Sequence, residues 1–271
     1  MKLAVSNIAL PAHDHAALLP EIAALGFSGL EVAPSRVWSD TWHGLEARAV
    51  EAYRRAVEAA GLTVTGIHSL FFDQPEMTIF GDDATRTRTL EFLVHLSAMC
   101  RDLGGRVMVF GSPPARRRGD LAPDKADVLA VDFFNRFHDA TEDHGTVMCL
   151  EPLGPADTDF CGSMHEILSF REQTQPGALG LQIDARALTA HDEITPGVFA
   201  RAQDGLVHVH ANATDLGELL PGDAIDHPAV GRLLAEIGYD GFVSLEQRMV
   251  DETDPLGPVA RSIAVMKEAY Q

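Results

Sequence analysis

Short apolar runs rich in Val, Ile and Leu alternate along the chain with longer stretches in which apolar residues recur at helical spacing. The runs are Leu3–Ile8, Gly29–Val32, Leu62–Phe71, Arg106–Phe110, Thr146–Glu151, Ala178–Asp184, Leu206–His210 and Phe242–Glu246. Between and after them, helical spacing predicts helices over Asp14–Leu25, Leu45–Ala60, Ala84–Leu103, Lys125–His144, Ser163–Thr174, Pro196–Gln203, Pro228–Ile237 and Pro258–Tyr270. In the first helix Leu18, Leu19, Ile22 and Leu25 share a face and Gly26 stops it; Gly61, Gly104 and Gly145 stand at the same place after later ones. Apolar strands alternating with helices imply a parallel sheet covered on both faces. Eight such units in roughly 250 residues predict a (β/α)8 TIM barrel, an α/β fold. The competing doubly wound sheet usually carries a glycine-rich phosphate turn after an early strand, and none is present. No shift in composition marks a boundary, so residues 1–271 are expected to form one barrel domain.

The composition, 46% hydrophobic and 23% charged, is that of a folded protein. With 40 acidic against 21 basic residues the chain carries a formal charge of −19, which argues against a nucleic-acid partner, because phosphate binding needs clustered Lys and Arg. The one basic run, Arg116-Arg117-Arg118, sits in a Pro/Gly loop and reads as a solvated loop or a small anion site. Three unpaired cysteines, Cys100, Cys149 and Cys161, suit buried thiols in a reducing compartment. No apolar run approaches the ~18 residues of a membrane span, and the N-terminal run is too short and polar for a signal peptide. A cytoplasmic protein with no membrane partner is expected.

Four consecutive runs end in a metal-capable side chain: Glu151, Asp184, His210 and Glu246. A charged residue on an otherwise buried strand is costly unless it is paired or ligates a metal. Alone, each of these would read as a helix cap, a loop residue or a structural histidine. Parallel neighbours lie ~5 Å apart, so four successive strand ends form an arc able to surround one ion. Three carboxylates and an imidazole suit one divalent ion: Mn, Co, Mg or Zn.

On these residues the chain resembles the xylose-isomerase-like barrels, in particular their sugar isomerase and 3-epimerase branch. The best local matches are Leu150-Glu151-Pro152, the strand ending in Asp184, Val207-His208-Val209-His210 and the stretch Gly238 to Glu246; Pro221 to Asp226 is similar to the loop after strand seven. The resemblance implies Glu151, Asp184, His210 and Glu246 as metal ligands, with Glu151 and Glu246 also acting as acid and base on opposite faces of a small-molecule sugar or polyol. It also implies that a histidine at the end of strand three, here His68, faces substrate, and it allows a homo-oligomer. Two substrate-holding positions of the 3-epimerases differ: Ala187 stands for a histidine and Leu216 for an arginine.

Glu31, Gln182 and Arg248 are further substrate-contact candidates, while His208, one layer below His210, reads as packing or support. Trp38, Trp42, Phe71 and Phe72 in rim loops could stack on a sugar or simply pack. The expected activity is isomerisation or epimerisation of a keto-sugar through an enediolate. A metal-dependent dehydratase or lyase acting on a keto-sugar or keto-inositol shares its first step. Two further alternatives are weaker: an AP-endonuclease-like repair enzyme, which needs a histidine where Phe110 and Gly111 stand and another at Ala187, and a non-catalytic subunit. Phe110 is expected to block a second metal.

Overall fold

A computed structural model describes all residues from Met1 to Gln271. Eight parallel strands close into a barrel in sequence order: β1 Lys2–Ser6, β2 Gly29–Val32, β3 Thr63–Ile67, β4 Val107–Phe110, β5 Val147–Leu150, β6 Gly180–Asp184, β7 Leu206–Ala211 and β8 Phe242–Leu245. The helices are α1 Leu19–Leu25, α2 Ala47–Ala59, α3 Asp83–Asp102, α4 Pro123–Thr141, α5 Met164–Arg171, α6 Ala185–Ala190, α7 Pro196–Ala202, α8 His227–Glu236 and α9 Gly257–Tyr270. The eight expected units are therefore all present, and no helix is long and apolar enough to cross a membrane.

Most strands are shorter than expected, and two of the four polar termini step off the ladder: Glu151 and Glu246 lie one residue beyond β5 and β8, while Asp184 and His210 stay within β6 and β7. The unexpected helix is α6. Asp184 caps it, its Oδ1 accepting the Ala187 N–H at 2.7 Å, so the cap role and the ligand position fall on one side chain.

Outward-facing strand residues pack on the helices in one contiguous core of 63 buried apolar residues, so the strands and helices share a single interior. On one side an aromatic chain, Phe71–Phe110–Phe134–Phe170–Phe160–Phe80, fills the space under α4 and α5 with ring centroids 5.0–6.0 Å apart. Phe110 thus points away from the barrel centre and cannot block a metal there, correcting the sequence reading. Inside the barrel the two-residue repeat of a strand stacks a polar layer over a deeper one: Asp184 over Gln182, His210 over His208, Glu246 over Ser244. At β6–β7 this layering is held by the pairs Asp184–His210 and Gln182–His208.

Candidate metal centre and cavity

The ends of β5 to β8 bring Glu151, Asp184, His210 and Glu246 together, with one potential ligand atom from each lying within 4.8 Å of all the others. That spread is close to twice a metal–donor distance of ~2.0–2.2 Å. His210 Nδ1 is the hub: it lies 2.9 Å from Glu151 Oε1, 3.4 Å from Glu246 Oε2 and 3.6 Å from Asp184 Oδ2. None of these contacts has hydrogen-bond geometry, which leaves a buried nitrogen without a partner in the middle of three acids. A divalent cation fits this donor set: it satisfies the orphaned nitrogen and offsets the carboxylate charges.

The layer below fixes the imidazole. Glu31, fully buried, faces His210 Nε2 at 3.1 and 3.2 Å and His208 Nε2 at 2.9 Å, and accepts the Ser244 hydroxyl at 2.6 Å. A carboxylate on the far nitrogen sets the tautomer that turns Nδ1 toward the cluster, the usual support of a metal-binding histidine. Burial pushes the Glu31 carboxyl up, but the imidazoles of His208, His210 and His68 pull it well below its ordinary range. Burial pushes His210 down; Glu31 and Glu246, then Asp184 and Glu151, overcome this and hold it well above the ordinary imidazole value. Burial and the facing Glu246 charge push Glu151 up to about 7. Burial acts in the same sense on Glu246, but His210 outweighs it and keeps that carboxyl low.

Three supports escaped sequence reasoning. Asn212 follows His210 by two residues, so it shares its inward side; its amide donates to Asp184 Oδ2 at 2.7 Å and to Glu246 Oε2 at 2.9 Å, and its oxygen accepts the Arg186 N–H at 3.0 Å. Gly111 stands where the repair enzymes need a histidine, and a Cβ there would run into Glu151 Oε2. Arg116, fully buried, donates to the Glu151 carbonyl at 2.6 Å. The two-residue period signalled Asn212; the other two depend on loop approaches that no local pattern encodes.

A family model described as xylose isomerase-like TIM barrel matches residues 19–269. The chain belongs to that family. Among solved structures, the D-psicose 3-epimerase of Clostridium cellulolyticum H10 superposes with a TM-score of 0.85 at 16% identity, covering 100% of both chains. The 3-keto-D-glucoside 4-epimerase of E. coli gives 0.82 at 18% identity, covering 99% of both. An L-ribulose 3-epimerase gives 0.81 at 19%, covering 99% of this chain and 94% of its own. At these identities the likeness is one of fold. No curated protein matches at a significant level.

In this xylose isomerase-like barrel the cluster forms the floor of a cavity of about 530 Å³ at the C-terminal face, where barrels of this architecture carry their active sites. Glu151, Asp184 and Glu246 line it, together with Asp157 and Arg186 on one side. His68 is 2% exposed; its Nε2 shares a proton with Ser6 Oγ at 2.6 Å and its Nδ1 lies 3.9 Å from Glu246 Oε1.

None of the four substrate-contact candidates lines the cavity: His68 stands beside Glu246 behind the wall, and the other three are placed elsewhere. Glu31 lies beneath His210 with its carboxylate fully engaged. Gln182 is buried one layer below Asp184, its amide nitrogen 3.4 Å from Glu151 Oε1, so it supports the floor as His208 does. Arg248, past the strand end, turns outward and donates to the Asp215 carbonyl.

Proposed function

We propose that the protein is a divalent-metal-dependent isomerase or epimerase of a keto-sugar or related polyol, acting through an enediolate. The observation that carries this reading is the convergence of Glu151, Asp184, His210 and Glu246 on one buried point at the cavity floor. The names of the fold neighbours support it: each is a sugar epimerase.

A carbon-bound hydrogen beside a carbonyl is weakly acidic, and its removal needs a nearby base and relief for the charge that develops on oxygen. The ion, held by the three carboxylates and His210 Nδ1, would polarise the carbonyl and hydroxyl oxygens of the substrate. Glu151 and Glu246 project from β5 and β8, on either side of the arc, with His210 Nδ1 between them. One removes the proton and the other returns it. Return to the opposite face of the same carbon is epimerisation; return to the neighbouring carbon is isomerisation. Asn212 holds Glu246 and Asp184 apart at fixed angles, and Glu31 keeps Nδ1 turned inward. His68 would offer its Nδ1 to a substrate oxygen beside Glu246.

Glu151→Gln and Glu246→Gln are each expected to lower proton exchange on a carbonyl sugar by about 10²–10⁴-fold while leaving the thermal unfolding transition of the metal-free protein in place. A rate within a few-fold of the parent in either variant removes that residue from the proton path.

A further inference from the structure

The walls of the cavity restrict what can lie on its floor. Every arginine of the run after β4 is fastened to loop carbonyls: Arg116 to those of Phe110 and Glu151, Arg117 to Asp157, Arg118 to Asp159 and Leu121. Arg248 holds the Asp215 carbonyl. Arg186 is the only cation among the cavity-lining residues, and it serves the Thr214 carbonyl at 2.9 Å and the Asp157 carboxylate at 3.5 Å. Against it stand Glu151, Asp157, Asp184 and Glu246. Even with a divalent ion on the floor, a phosphate or carboxylate on the substrate would meet four carboxylates against one already engaged arginine, and no free cluster of donors.

The mouth is apolar. Phe72 is 81% exposed beside exposed Pro75 and Pro114, with Pro113 next to it and Leu216 on the opposite loop. Ser69, Ser112 and Leu216, which shape these loops, have φ of +53°, +31° and +59°. Non-glycine residues hold such conformations only where the surroundings impose them, commonly at ligand sites. The cavity falls within the ~300–1,000 Å³ range that accommodates drug-sized ligands, beyond the need of a lone monosaccharide.

A free monosaccharide can set one C–H face on a single ring, but its hydroxyls leave most of a wall of one phenyl and three prolines uncovered. An apolar group on a sugar sits most simply at the anomeric carbon, as an aglycone. A glycoside cannot ring-open, so its carbonyl must come from an oxidised ring alcohol. We infer that the substrate is an uncharged keto-glycoside whose apolar aglycone lies against Phe72, Pro75, Pro113 and Pro114. This rests on the proton-transfer reading above. A reaction that oxidises one ring alcohol of the intact glycoside must supply it.

The test uses the Mn²⁺-loaded protein in D₂O with five probes: phenyl and methyl β-D-glucosides oxidised at C3, D-fructose, D-psicose and D-fructose 6-phosphate. Oxidation at C3 leaves an acidic hydrogen on both neighbouring carbons. Deuterium entry is followed by NMR and kcat/KM taken for each. The expected result is a phenyl-over-methyl preference of about 10-fold or more from aglycone burial, no exchange on the phosphate, and loss of the preference in Phe72→Ser. Equal values for phenyl and methyl, a preference retained in Phe72→Ser, or a better rate on the phosphate overturns the inference. Exchange on the free ketoses alone also overturns it while leaving the proton-transfer reading intact. Exchange on none of the five defeats both.

Discussion

Asn212 holds the site together without adding charge to it. A lysine there would compete with a metal for the carboxylates, and an apolar residue would leave two acids to repel each other; the amide donates one hydrogen to each of Asp184 and Glu246. Asn212→Ala is therefore expected to weaken Mn²⁺ binding by about 10–100-fold, the usual effect of losing an outer partner of the ligands, in a titration of the folded protein. Unchanged affinity would show that the carboxylates hold their positions without it. Residue-scale legibility was uneven for one reason. The two-residue strand period assigns a side and a depth, which placed His208 below His210. The same period puts Gln182 below Asp184 and Asn212 above His210. Glu31 needed one further fact, the closure of β2 across the barrel onto β7 and β8, which only the folded chain supplies.

At the scale of elements, the strands deliver ligands and the loops determine what surrounds them. Arg116 ties the turn after β4 to the end of β5, and Arg117 and Arg118 tie the same loop to residues 157 and 159. These contacts span some 40 residues of sequence, so a basic run legible as charge was not legible as a clamp. The outer layer is a separate matter. Phe134 on α4 packs between Phe110, Phe133 and Phe170, outside the lining of the cavity. Phe134→Ala should cost about 3–5 kcal/mol in denaturant unfolding while leaving metal stoichiometry at one ion per chain. Loss of stoichiometric binding at a temperature where the variant is folded would mean that the aromatic seam also shapes the floor.

For the molecule as a whole, the acid excess visible in the sequence includes a small buried share: Glu31, Glu151, Asp184 and Glu193, with Glu246 almost so. Without metal, the raised pKa of His210 and, below about pH 7, that of Glu151 favour protons that metal binding must displace. Both have folded-state pKa values raised above their unfolded ones, so their stabilising protonation is full at low pH. It fades as pH rises, for Glu151 through the window from its ordinary 4.5 to about 7, and for His210 through a pKa well above 6.5. A bound cation replaces those protons. The gain in Tm from saturating Mn²⁺ should accordingly be larger at pH 8 than at pH 5.5; an equal gain at both would place the ion elsewhere. Strand order, barrel closure and the four convergent strand ends were legible because they follow from periodicity and chain order. The apolar mouth was only half legible: Phe72 was visible as a rim aromatic, but its exposure and its proline neighbours depend on loop backbones held at positive φ.

Metal-dependent proton transfer beside a carbonyl leaves its clearest mark in hydrogen exchange. The protein is stripped with a chelator, divided, and one half reloaded with one equivalent of Mn²⁺; both halves are incubated in D₂O with the carbonyl sugars. Deuterium is expected at a carbon next to the carbonyl, with a new stereoisomer or carbonyl position, in the reloaded half only. Equal exchange in both halves, or none in a half shown to hold its metal, would rule out metal-dependent proton transfer at this site.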